Sequence, residues 1–99
     1  MEQPLAVIAE NVHLHYVFIV AHARTHDFEY AVDAANHAEQ SLSRLAGALP
    51  QDSVLSPGLK RLRLIVHNAR SQLSRGRQPD DLEQGIEISL RMVDQLKED

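Results

Sequence analysis

Apolar residues recur at three- and four-residue steps through four separate stretches of this 99-residue chain, the spacing of one face of an α-helix. Leu5, Ile8, Val12, Tyr16, Ile19 and Ala23 make the first stripe, and Pro4 before them suits the opening of a helix, so a helix is expected over about 4–23. Phe28, Ala31, Val32, Ala35, Ala38, Leu42, Leu45 and Leu49 make the second, rich in alanine and so suited to close helix approach. Between the two, Arg24-Thr25-His26-Asp27 offers side chains that cap helix N-termini.

The chain's few prolines and glycines fall mainly between stripes. Pro50 to Gly58 holds two prolines, a glycine and two serines and reads as the longest connection. Leu59, Leu62, Val66, Ala69 and Leu73 form the third stripe, ending near Gly76, and Pro79 with Asp80-Asp81 marks a fresh start before Leu82, Ile86, Ser89, Val93 and Leu96. The expected architecture is one all-α domain, a four-helix bundle of two αα-hairpins over 4–49 and 59–97 with a connection at 50–58. An offset of 54 residues pairs Leu5 with Leu59, Val12 with Val66, His13 with His67, Asp27 with Asp81 and Leu42 with Leu96, which supports two similar hairpins. The run from Asp27 to Val32 resembles the opening of the second helix in tetratricopeptide-type hairpins over about one turn.

The first helix has a second apolar set. Val7, Leu14, Val17, Phe18 and Ala21 lie roughly opposite the first stripe, and a single four-helix core does not readily bury both faces. Self-association through these residues is the expected use; the alternative places the helix centrally, touching all three others.

No cysteine is present, so a disulfide framework, a thiolate nucleophile and a cysteine-based zinc site are excluded. The longest uninterrupted apolar run, Tyr16 to Ala21, falls far short of the roughly 20 residues a membrane span needs, and nothing before it reads as a secretory leader. The expectation is a soluble cytoplasmic protein without a membrane partner. A net charge of -4 names no partner and is the wrong sign for a general nucleic-acid coat.

Charge is nevertheless polarised. Residues 1–56 hold seven acids and two bases, residues 57–99 seven acids and eight bases. On the third helix Lys60, Arg63, His67, Arg70 and Arg77 fall on one polar face and form the expected partner-binding surface, since clustered arginines recognise carboxylates and phosphates. A protein partner is favoured; with few aromatics for base stacking, nucleic acid is not.

Six histidines invite a search for chemistry. His15 and His22 are about 10.5 Å apart along a helix, too far for one metal ion. His22 and His26 have chelating spacing, but His26 falls in a turn, and Glu10-x-x-His13 lacks the second copy that di-iron bundles carry. His37, one turn after Asp33, reads as a solvated histidine with a local ion pair. No metal site or cofactor is expected.

His67-Asn68-Ala69-Arg70-Ser71 resembles the histidine phosphotransfer motif over about ten residues, with Arg in place of the usual Lys and Ser in place of the following Gly. That resemblance implies His67 as phosphoacceptor and Arg70 as the phosphate-holding cation, with Ser71 at the position of departure. No phosphate loop, nucleophile elbow or paired acids accompany it, and no motif specifies a reaction. The sequence therefore favours a small non-enzymatic regulatory or adaptor protein, homodimeric and binding another macromolecule. The alternatives are a phosphotransfer-like protein using His67 and a histidine-rich metal-binding bundle.

Overall fold

The computed structural model describes residues 4–80 and 82–98. Among these there are four helices and no strand: α1 (Leu5–Arg24), α2 (Phe28–Ala48), α3 (Ser56–Ser74) and α4 (Leu82–Glu98). Each stripe read from the sequence turns inward. Ile8, Val12, Tyr16, Ile19 and Ala23 of α1 are buried against Ala31, Ala35, Ala38, Leu42 and Leu45 of α2 and Leu59, Leu62, Val66, Ala69 and Leu73 of α3.

The helices close into a ring in which α1 packs on α2 and α4, and α3 packs on α2 and α4. Short connections make chain neighbours antiparallel, and ring closure makes α1 and α4 antiparallel as well. The small side chains of Ala31, Ala34, Ala35 and Ala38 let α2 approach α1 closely, and this is the broadest helix contact in the molecule. The bundle measures 38 × 26 × 19 Å.

Helix ends depart from expectation in three places. Asp27 sits at the α2 N-cap but makes no side-chain cap bond; its carboxylate instead accepts the Thr25 hydroxyl at 3.0 Å. α3 begins at Ser56, three residues before the expected start, because Pro57 fits the first turn, where no amide hydrogen is needed, and Gly58 is tolerated beside Ile88. Arg77 lies beyond the end of α3, past Gly76, so it does not continue the helical face assigned to it. Asp81 lies outside the described residues.

α1 and α3 end in the same way. His26 and Gly76 both take positive φ, 60° and 72°, and at each end the next amide reaches back to the carbonyl five residues before it, Asp27 to His22 at 2.8 Å and Arg77 to Gln72 at 2.9 Å. This is the Schellman closure of a helix. The two closures stand 50 residues apart, whereas the buried positions of α2 and α4 repeat at 54 (Ala31 and Gly85, Ala35 and Ser89, Ala38 and Met92). No single offset relates the halves, since the second hairpin's turn is four residues longer. Gln78 in that longer turn crosses to α1 and donates to the Ala23 carbonyl at 2.6 Å.

Two contacts fix α4 against α1. The Tyr16 hydroxyl, on a fully buried ring, donates to the Leu82 carbonyl at 2.6 Å, and His13 Nδ1 lies 2.8 Å from the Ser89 hydroxyl, itself fully buried. Ser89 stands in the stripe of α4 as a polar residue with both its bonding needs met, by His13 and by the Ile86 carbonyl at 3.0 Å.

Candidate functional site

The second apolar set of α1 faces outward. Val7, Leu14, Val17 and Phe18 are 38 to 48% exposed, and Ala21 is exposed with them. Because α1 packs chiefly along α2 and α4 and leaves this second face in solvent, it is a wall of the ring and not its centre, and the central-helix alternative is removed. By length and composition α1 is also apolar enough to cross a membrane, although single histidines and Glu10 break its apolar residues into short runs. Its inner side is bound into the bundle through Tyr16 and His13.

The exposed face continues onto both neighbours. Lys97 of α4 pairs with Glu10 at 2.8 Å. Leu90, seven residues before Lys97, therefore comes level with Val17, seven residues after Glu10, and Leu90 is exposed too. On the α2 side the rings run in series: Phe18 lies 6.5 Å from His15 and 6.4 Å from His22, His15 stacks on His37 at 5.3 Å, and His22 lies 5.6 Å from Tyr30. His37 also keeps Asp33 at 3.7 Å, the local pair read from the sequence. Partial burial, and then the neighbouring His37, hold His15 below the ordinary histidine pKa, so its neutral form is favoured. The stack was not legible in the sequence, because it joins positions on two helices.

On the opposite side, α2 and α3 form a seam. Lys60, Arg63 and His67 are exposed along it and Arg70 is half-buried. Glu39 of α2 reaches into this stripe: its Oε1 is shielded from solvent, 3.2 Å from Arg70 Nε and 3.6 Å from His67 Nδ1. Arg70 also donates to Asn36 at 3.4 Å. A phosphoryl group on His67 Nδ1 would meet the Glu39 carboxylate, and the cation assigned to hold it is already engaged there. Lys60 and Arg63 have no ion-pair partner among the described residues, nor has Arg77, which stands apart in the turn.

Two open hollows lie end to end along the seam, of about 480 and 410 Å³. Lys60 and Arg63 border both. The first has Leu42 and Leu64 between Glu39 and His67; the second has Leu49 and Leu59 beside Pro50. Sequence reasoning missed Glu39 and Leu64. Leu64 could have been found as a leucine off the buried stripe.

The remaining histidines are dispersed. His22 faces Asp27 at 4.0 Å, His26 lies 3.4 Å from Gln78, and His13 is on Ser89. Among the described residues no three His, Asp or Glu side chains converge as a metal would require. No family model, curated protein or solved structure matches the chain.

Proposed function

We propose that this protein is a small non-enzymatic adaptor that pairs with a second copy of itself through α1 and receives a protein partner on the α2/α3 seam. The observation that carries the reading is the outward apolar face of α1, extended by Leu90 and Tyr30. Single exposed apolar side chains are ordinary; a contiguous face of them on one helix is the mark of an interaction surface.

A second copy suits this face. The set Val7, Leu14 and Ala21 is symmetric about Leu14, so antiparallel pairing of two α1 helices sets Val7 of each against the small Ala21 of the other. The charges at its edges are already neutralised within one chain, Glu10 by Lys97 and Arg24 by Glu83, so pairing meets no net repulsion. A standard interface buries about 800 Å² per partner, and the 20-residue helix offers a face about 30 Å long for it.

Light scattering at low and high salt tests the reading. The expected result is a salt-insensitive dimer for the natural chain and a folded monomer for Phe18→Glu, whose charge is tolerated in water but not in an apolar interface. A natural chain that is monomeric at all concentrations overturns it.

A further inference from the structure

The seam between α2 and α3 carries a more specific statement, which rests on the adaptor reading and names the partner. We infer that the two hollows together form one groove for an acidic, amphipathic helix of another protein. The hollows share Lys60 and Arg63 as a common border, so a ligand lying across both passes those two cations at its middle. From Glu39 to Ala48, where α2 ends, its wall rises about 13 Å, some two and a half helical turns, and Leu49 and Pro50 continue it in extended chain. Leu64 at one end and the half-buried Leu49 at the other give an apolar contact on each side of the charged middle, with Leu42 and Leu59 buried behind them.

Charge decides the occupant. Lys60 and Arg63 have no carboxylate among the described residues, and the groove's own acid, Glu39, is committed to Arg70 and His67. The middle of the groove is thus a cationic site on a molecule whose net charge is -4. A helix with apolar side chains one turn either side of a pair of carboxylates satisfies both, in the manner of helix-in-groove recognition. A nucleic acid fits less well: two unpaired cations neutralise few phosphates, and the groove offers leucines where bases need aromatic platforms. The hollows are open and shallow, as a protein surface requires and an enclosed small-molecule pocket is not.

The test is fluorescence anisotropy with three labelled probes: a helix-forming peptide of about four turns with leucines on one face and two central glutamates, the same peptide with glutamine for glutamate, and a single-stranded oligonucleotide of similar length. The acidic peptide is expected to bind saturably, more weakly as salt rises, and at least about tenfold more tightly than its glutamine counterpart. Lys60→Glu/Arg63→Glu is expected to lose at least about tenfold of that affinity. Leu64→Ala, at an exposed position that folding does not need, is expected to weaken both peptides. Absence of saturable binding, equal binding of the two peptides, or tighter binding of the oligonucleotide overturns the inference. Light scattering on the same samples separates the two ideas. A dimer that ignores the acidic peptide sinks the groove alone, and a monomer that binds it sinks the α1 face alone.

Discussion

Tyr16 and Gly85 occupy one another's space: a Cβ added at Gly85 would overlap the Cζ and hydroxyl of the Tyr16 ring. The ring is fully buried, and its hydroxyl bonds the Leu82 carbonyl one turn earlier on α4. Gly85 is therefore the place where α4 gives up helix propensity so that α1 can dock.

That relationship inverts a usual sign. Glycine to alanine inside a helix ordinarily stabilises by about 1 kcal/mol. Gly85→Ala is expected to destabilise by about 1–3 kcal/mol, the cost of overpacking a core. Gly47→Ala, where nothing lies within 4 Å of the added methyl, is expected to stabilise by about 0.5–1 kcal/mol. Tyr16→Phe should cost about 1 kcal/mol for the lost hydroxyl bond. Urea unfolding of the three variants checks all of these, and a stabilising Gly85→Ala would disprove the close approach.

The two Schellman closures give a second pair. Gly76 takes its positive φ freely, so Gly76→Ala is expected to cost about 1 kcal/mol. His26 holds the same conformation with a side chain, and His26→Gly is expected to gain a similar amount, about 1 kcal/mol, less what its edge contact with Phe28 contributes. Thermal melts of the two variants should move in opposite directions.

Stability should fall on mild acidification. His15 has a pKa depressed below its ordinary 6.5, so the unfolded chain binds that proton more readily than the folded one. The contribution is fully present above the unfolded value and is lost as pH drops through it toward the folded value. The proton on His15 would face His37 across the stack, with Asp33 beyond it and His22 two turns along α1. Melting temperatures measured across pH 6.5 are expected to show the fall in the natural chain and a weaker dependence in His15→Gln, whose side chain carries no titratable group.

Removing the groove's acid should act on binding and hardly on folding. Glu39→Gln breaks pairs that are partly exposed, so its effect on stability is expected to stay within about 1 kcal/mol. Affinity for the acidic peptide should rise, because Arg70 and His67 are released toward the ligand. Anisotropy that is unchanged or weaker in Glu39→Gln would show that Glu39 does not set the charge of the groove.

Much of this molecule was legible beforehand. The stripes led by Val12, Leu42 and Leu62 mark buried faces, because a helix repeats its exposure every 3.6 residues and water selects the apolar side. That Leu14 and Phe18 lie on a second face opposite the buried stripe was legible for the same reason; that this face is outward was not, since a central helix would bury both. Lys60 and Arg63 were legible as a charged face, but not that they border two hollows.

What the sequence by itself determined is which side of each helix is apolar and roughly where each helix begins and ends, since both depend on neighbours within a turn or two along the chain. Tertiary structure alone decided that the bundle closes, with α1 as one of its walls, that Gly85 makes room for Tyr16, that His15 stacks on His37, and that Glu39 takes Arg70 and His67 while Lys60 and Arg63 have no ion-pair partner among the described residues. Each of those joins residues from different helices. Periodicity says that a face must be covered, whereas which face covers it depends on the packing of all four helices at once.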